Sequence, residues 1–140
     1  AAGVAVPNEM YDPGALYGAF GTAAGLFGAM SFVGFTTNMD LSKFGTYLFM
    51  GLIGLVIAIF INMVIGSSTL GFMISIAGVL LFTALTAYDT QKIRNLSMNP
   101  EIQASGDLAA KISILGALTL YLDFINLFLF LLRLFAGGRR

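Results

Sequence analysis

The sequence predicts an all-α membrane protein whose helices form a multi-helix transmembrane bundle. Of its 140 residues, 58% are hydrophobic and only 10% are charged, with a mean hydropathy of +0.90. That charged fraction is about half of the roughly 25% typical of soluble domains, so a soluble fold could not cover this much apolar surface. Long uncharged runs between polar breaks predict four helices, near residues 14–35, 45–65, 70–96 and 108–135.

The composition also limits the chemistry. The chain has no cysteine, which excludes disulfides, thiol catalysis and cysteine-ligated metal. It has no histidine, so proton chemistry near neutral pH must come from carboxylates in unusual surroundings. The net charge is zero, which gives no electrostatic basis for binding nucleic acid. We therefore expect a lipid bilayer around the chain and no bound cofactor.

The first 13 residues, AAGVAVPNEMYDP, are predicted to form a connection, because prolines and polar residues interrupt any regular pattern. They lack the basic stretch, apolar core and cleavage site of a signal peptide. Since the chain does not begin with Met, we interpret residues 1–140 as a single transmembrane helical domain from a longer or processed protein.

The first predicted helix carries a stripe of glycines at alternating spacings of four and three. Its members are Gly14, Gly18, Gly21, Gly25 and Gly28. In lipid, small residues let helix backbones approach closely. We therefore expect this face to be buried in helix contacts. The alternative interpretation of the same stripe is a mobile, gate-like helix.

A polar loop at residues 36–44 precedes the second predicted helix, which Asp40 or Ser42 could cap. One face of this helix holds small and amide side chains, at Gly51, Gly54, Ala58 and Asn62. We expect that face to be buried too, with the Asn62 amide hydrogen-bonded inside the bundle. The uncharged residues 66–69 predict a tight turn, which makes the second and third helices antiparallel neighbours.

The third predicted helix continues to about Leu96 and carries Asp89 just beyond its uncharged run. Taken alone, Asp89 is better explained as an interfacial carboxylate that pairs with Lys92 or with water; a second aspartate on the next helix favours a position inside the protein. Residues 97–107 contain proline, glycine and charges of both signs, which predicts a solvated loop. Asp107 at the end of this loop can cap the fourth helix.

Asp123 is the only charged residue in the apolar run from Ile112 to Leu132. A carboxylate at that depth costs about 2.5–3.5 kcal/mol, so it must face other helices, a partner or water. Polar and small side chains recur on its face of the helix, at Gly116, Thr119, Asp123 and Asn126.

The helix and loop lengths allow the Asp89 and Asp123 side chains to meet. Two carboxylates close together and away from bulk water resist double ionisation and titrate as a coupled pair. Such a pair predicts a pH switch in a chain without histidine. Candidate polar lining for a pore, or for the bundle interior, is Thr119, Asn126 and Asn62.

Three segments carry a family resemblance. AYDTQKI at residues 87–93 and LYLDFINLFLFLLRLF at residues 120–135 resemble the C-terminal signature of the Bax inhibitor-1 family, also called the transmembrane Bax inhibitor motif family. TTNMDLSKFGTYLFMGLIGL at residues 36–55 is similar to the loop and following helix of the same family. The similarity covers nearly the whole chain and favours bacterial members.

The resemblance implies a seven-helix bundle around a central last helix, with this chain supplying helices four to seven. It implies that Asp89 and Asp123 form a pH-sensing pair in a pH-dependent Ca²⁺ leak channel, where they could bind Ca²⁺ transiently. The expected partners are lipid, Ca²⁺ and protons, and the expected location is the bacterial plasma (inner) membrane, as a multi-pass protein. A bacterial branch of the family binds and modulates a membrane protease. The alternative is therefore a membrane regulator without its own ion conduction.

A third class is an intramembrane aspartyl protease, because Tyr88-Asp89 resembles the Tyr-Asp of presenilin-like enzymes. However, Asp123 lies in YLDF rather than after Gly-x-Gly, and no Pro-Ala-Leu follows it. We therefore do not expect an enzyme.

Overall fold

The structure, a computed structural model, describes residues 13–137, and there the chain forms α-helices and no strand. The helices are α1 (Pro13–Thr36), α2 (Gly45–Ile65), α3 (Ser68–Ser97), α4 (Pro100–Ala104) and α5 (Gly106–Gly137), with a 3-10 turn at Leu41–Phe44 before α2. All but α4 are long and apolar enough to cross a membrane. The predicted all-α bundle is therefore confirmed, and each of the four predicted spans is present.

The helices pack around the long pair α3 and α5. These two share the most extensive interface, α1 packs against both of them, and α2 packs mainly on α3. The buried core is built from alanine, leucine, isoleucine and phenylalanine side chains, at Ala19, Ala23, Leu55, Ile74, Phe82, Leu127, Leu131 and Leu132. Three of these core residues come from α5, but it is α3 that packs on each of the other three long helices, so α3 lies at the centre of the described bundle.

The turn between α2 and α3 is as tight as predicted. Gly66 has the left-handed conformation, with φ of 72°, and its N–H donates to the Asn62 carbonyl at 2.6 Å. The Asn62 side-chain Oδ1 accepts from the Ser67 N–H at 3.0 Å. The expectation that the Asn62 amide bonds inside the bundle is therefore wrong. Its oxygen satisfies a backbone N–H of the turn.

Ser67 caps α3, because its Oγ accepts from the Leu70 N–H at 3.1 Å. We expect Ser67→Ala to lower the free energy of unfolding by about 1 kcal/mol, since that N–H loses its partner. Denaturant titration of the full-length protein in detergent measures the change. Ser68→Ala, at the exposed next position, is the matched control. Equal effects of the two substitutions would show that the cap contributes nothing specific.

Two predicted helix starts need correction. Asp40 caps the 3-10 turn rather than α2, and it accepts from the Ser42 N–H at 3.1 Å and the Ser42 hydroxyl at 2.6 Å. At α5 the cap is Ser105, whose Oγ accepts from the Leu108 N–H at 3.3 Å, so the expectation that Asp107 caps this helix is wrong. The helix begins earlier than predicted, which places Asp107 inside its first turn.

The predicted loop between the third and fourth spans contains one further helical element. Residues 100–104 form α4, with Pro100 at the first helical position and the Asn99 side chain accepting from the Glu101 N–H at 2.9 Å. Proline is well suited to that position because it has no N–H to satisfy.

The glycine stripe of α1 is not its packing face. Gly14, Gly21, Gly25 and Gly28 are exposed, and Gly18, beside the Phe135 ring, is half-buried. The buried face of α1 consists instead of Ala15, Ala19, Ala23 and Gly34. The prediction that the glycines are buried in helix contacts is therefore wrong for the described residues. The alanine stripe allows close packing and also buries apolar side-chain surface.

The predicted small-residue face of α2 is turned toward α3 but is only partly buried: an added Cβ at Gly51 would come within 3.2 Å of the Leu81 side chain, whereas one at Gly54 would meet no atom within 4 Å. Gly51 and Gly54 are exposed, whereas Ala58 and Asn62 are half-buried. The side chain that α2 buries is Leu55, at 7% exposed. The two glycines line an apolar groove of about 510 Å³ between α2 and α3.

Candidate functional site

Asp123 is buried near the middle of α5, with only 5% of its surface exposed. It lies in line with Leu127 and Leu131, at successive steps of four residues, and those two side chains are 0% and 4% exposed. The α-helical period therefore places this carboxylate on the same face as the apolar core. No other ionisable side chain of the described residues is buried to this degree.

Asp89, half-buried on α3, provides the neighbouring carboxylate. The Asp123 carboxyl lies within interaction range of the Asp89 carboxyl, so the charge of each group affects the other. Asp123 Oδ2 is buried and has no hydrogen-bond partner among the described residues. The structure therefore brings the two aspartates together across the α3–α5 interface, in surroundings that disfavour two full negative charges.

Tight contacts enclose the pair on both sides along the interface. One turn beyond Asp89, Ile93 packs onto Gly116, where an added Cβ would come within 3.1 Å of the Ile93 side chain. Two turns before Asp89, the ring of Phe82 stacks on that of Phe130, with centroids 5.9 Å apart. Asp89 and Asp123 therefore lie between two well-packed layers.

The hydroxyl groups near Asp89 bond to their own helix. Thr86 is fully buried, and its Oγ1 donates to the Phe82 carbonyl at 2.7 Å. Thr90 Oγ1 donates to the Thr86 carbonyl at 2.7 Å. Each of these hydroxyls has one hydrogen to donate and donates it to a backbone carbonyl oxygen, so neither donates to the aspartate pair.

The candidate polar lining lies partly away from the pair. Thr119 is exposed, and its Oγ1 donates to the Leu115 carbonyl at 2.8 Å. Asn126 is half-buried on α5. Asn62, in the last turn of α2, lies beside the N-terminal end of α3, about 30 Å from Asp89 at roughly 1.5 Å per helical residue. The structure therefore groups Asp89 with Asp123 but does not bring Asn62 to them.

Across residues 13–137, no cluster of three or more metal-ligating side chains is present. Ca²⁺ takes about six to eight oxygen ligands, whereas two carboxylates offer at most about four. Any Ca²⁺ ion at Asp89 and Asp123 would need water or carbonyl oxygens as well, which suits brief contact rather than stable binding.

Sequence reasoning missed the polar contacts behind Asp89. Gln91 is 3% exposed and bonds to the backbone of the loop between α1 and α2. Arg94 donates to the Phe35 carbonyl at 2.6 Å. Helical periodicity could have grouped Ala87, Gln91 and Arg94 as one face, but nothing in the sequence indicates their backbone partners.

The same loop carries its own charged groups. Hydrogen bonds from the Ser42 side chain and backbone lower the pKa of Asp40 below its usual range. The Lys43 ammonium lies 5.3 Å from the centre of the Phe44 ring. These two charges are thus engaged within the loop.

The family model described as "Inhibitor of apoptosis-promoting Bax1" matches residues 2–140. The chain belongs to the Bax inhibitor-1 family. It is 50% identical over 131 residues to the inner membrane protein YbhL of Escherichia coli K12, an alignment that covers 94% of this chain and 55% of YbhL. An uncharacterized Deinococcus radiodurans protein is 50% identical over 124 residues, 89% of this chain and 52% of that protein. An uncharacterized Streptococcus pyogenes membrane protein is 39% identical over 125 residues, 89% of this chain and 53% of that protein.

The chain thus spans about half the length of these relatives. The family resemblance predicted from the motifs at residues 87–93 and 120–135 is confirmed. Together with four apolar helices of membrane-spanning length, the relatives identify a multi-pass integral protein of the bacterial inner membrane.

Proposed function

We propose that Asp89 and Asp123 gate a pH-sensitive Ca²⁺ leak in the membrane protein that contains this chain. The observation that carries the proposal is a 5% exposed carboxylate in mid-span that lies within interaction range of a second carboxylate on another helix. Ionisable residues inside a membrane are costly, and they mark ion or proton pathways. The proton is the switch in this proposal, Ca²⁺ is the conducted ion, and no cofactor is involved.

The switch follows from electrostatics. While the two carboxylates share a proton, their side chains can stay in contact. When that proton leaves, two like charges face each other, and unit charges about 4 Å apart repel by about 4 kcal/mol at an effective dielectric constant of about 20. That energy corresponds to roughly a thousandfold change in an equilibrium constant. It is comparable to the ~5.5 kcal/mol that takes a two-state equilibrium from 1:99 to 99:1.

The packing around the pair directs where this repulsion acts. Asp89 and Asp123 sit on separate helices, so repulsion pushes α3 and α5 apart between the Ile93–Gly116 and Phe82–Phe130 layers. Parting helices would admit water to a path lined by two carboxylates. Oxygen ligands of this kind attract a divalent cation such as Ca²⁺.

A second candidate function is a regulator that binds a membrane partner and conducts no ions. The exposed glycine stripe of α1 favours it, because an added Cβ at Gly21, Gly25 or Gly28 would meet no atom within 4 Å. Such a surface suits close approach by another transmembrane helix, which could belong to a membrane protease or to another segment of the protein.

Ca²⁺ flux into liposomes separates these functions. The full-length protein is reconstituted alone, with a Ca²⁺ indicator inside the vesicles. We expect Ca²⁺ entry above that of protein-free vesicles, and we expect entry to rise between about pH 6 and pH 8 as the pair loses its proton. Entry equal to that of protein-free vesicles at every pH would contradict the channel and favour the regulator. Cleavage of a model transmembrane substrate would instead indicate a protease.

A further inference from the structure

Gln91 links α3 to the loop between α1 and α2. Its Nε2 donates to the Met39 carbonyl at 2.7 Å, and its Oε1 accepts from the Leu41 N–H at 2.8 Å. A backbone carbonyl can only accept and a backbone N–H can only donate, so the two partners fix the orientation of the amide. The side chain is 3% exposed, so water does not offer a ready replacement for either bond.

The loop depends on this amide. Leu41 is the first residue of the 3-10 turn, where a backbone N–H has no partner inside the turn. Gln91 supplies that partner. Replacing its amide by an apolar group would leave a part-buried N–H and a part-buried carbonyl unsatisfied.

Further contacts fasten the same face of α3. Arg94 Nη1 donates to the Phe35 carbonyl in the last turn of α1. Gly34 lies so close to the Ala87 carbonyl that an added Cβ would overlap it. Ala87, Gln91 and Arg94 follow the helical spacing of four and three residues, so they form one stripe facing α1 and its loop.

Asp89 lies on the other side of α3. It is two positions from Ala87 and two from Gln91 in the sequence, which is about 200° of rotation at roughly 100° per residue. The stripe therefore holds one face of α3 against α1 and its loop. The opposite face of the same helical turns carries Asp89 toward Asp123. Rotating α3 about its axis would carry Gln91 away from the loop and break both of its hydrogen bonds.

We propose that Gln91 is a positioning residue for the aspartate pair, holding the back of α3 to the loop so that the Asp89 carboxyl stays against Asp123. The consequence for gating rests on the proposed channel function; the positioning itself does not. Gln91 is uncharged, so its effect on the aspartate pair comes from where it holds α3 and not from a charge of its own. Of the charged groups near Gln91, Asp40 and Lys43 in the loop are engaged by Ser42 and by the Phe44 ring, and Arg94 on α3 itself bonds to the Phe35 carbonyl.

Disulfide formation between α3 and α5 measures the positioning directly. The 140 residues contain no cysteine, so the pair Ile93→Cys and Gly116→Cys introduces two thiols on the face that carries the aspartates. Replacing Ile93 also removes the atoms that a Cβ at Gly116 would otherwise approach. The rate of oxidative cross-linking in the full-length protein, measured in liposomes at about pH 6, reports how often the two helices meet in register.

We expect Gln91→Met, which keeps the length and burial but makes no hydrogen bond, to lower the cross-linking rate about tenfold. Gln91→Glu keeps an acceptor for the Leu41 N–H but sets a buried carboxylate oxygen against the Met39 carbonyl oxygen, so its rate should fall at least as far. The matched control is Gln103→Met, because Gln103 also bonds to a backbone carbonyl, that of Ser97, but lies at the exposed short helix α4. We expect this control to match the parent.

Equal rates for Gln91→Met and the parent would overturn the positioning role. If Gln91→Met fails to fold, the cross-linking rate of Gln91→Glu is compared with that of the parent. An unchanged cross-linking rate in Gln91→Glu would contradict the positioning role.

Ca²⁺ flux separates this inference from the channel proposal. If both hold, Gln91→Met should leak at pH 6, so that its flux differs less between pH 6 and pH 8 than that of the parent. A residue with only a structural role would lower flux at both pH values. If the parent shows no flux at all, the channel proposal fails, and the cross-linking rates test the positioning of Asp89 alone.

Discussion

Replacing Asp123 by asparagine is expected to remove the pH dependence of Ca²⁺ flux between about pH 6 and pH 8. Asparagine has nearly the same shape, remains neutral, and can donate to the Asp89 carboxylate. The repulsion that separates α3 and α5 then cannot develop when the proton leaves. Flux at pH 8 should fall at least about tenfold, toward the level at pH 6, in liposomes that contain the full-length protein.

Asp89→Asn should have the same effect, and the double substitution should add little, because both residues belong to one coupled pair. Asp107→Asn is the matched control, since Asp107 is exposed in the first turn of α5. Parental pH profiles in both Asp89→Asn and Asp123→Asn, with folding intact, would show that the pair is not the sensor.

Replacing Gly34 by alanine is expected to lower the free energy of unfolding by about 3 kcal/mol, because overpacking against rigid atoms forces the backbone to move. At this position the added Cβ would overlap the Ala87 carbonyl, and α3 cannot turn a backbone group aside as it could a side chain. Denaturant titration of the full-length protein in detergent measures the loss.

Gly21→Ala provides the comparison within the same helix. A Cβ at Gly21 meets no atom within 4 Å, so we expect stability equal to the parent or up to about 1 kcal/mol higher, from the better helix propensity of alanine. Comparable destabilisation by the two substitutions would mean that Gly21 is as closely packed as Gly34.

The four spans were predictable because hydrophobic run length and polar breaks are local properties of the sequence. The faces through which these helices pack against one another could not be predicted from the sequence. α1 has two small-residue stripes side by side, one that starts with Gly14 and Gly18 and one that starts with Ala15 and Ala19. Their periods are nearly identical, so the sequence cannot decide which stripe meets α3 and α5. The structure buries the alanines.

The aspartate pair was predictable for a different reason. A lone carboxylate in the middle of a span needs an explanation, and Asp89 at the end of the preceding span provides one. Gln91 offered no such signal, because its partners are backbone atoms of Met39 and Leu41, about 50 residues earlier in the chain. Thr119 is exposed among the described residues, because the described helices cover only part of the stripe that it shares with Asp123.

Infrared absorption of the carboxyl groups, recorded together with Ca²⁺ flux from about pH 5 to pH 8, tests the proposed gate most directly. The full-length protein in liposomes should show a protonated carboxyl band that is absent from Asp123→Asn. The proposed gate predicts that this band disappears over the same pH interval in which flux rises. A protonated band absent at every pH, or one that disappears while flux stays constant, would contradict a proton-controlled aspartate gate.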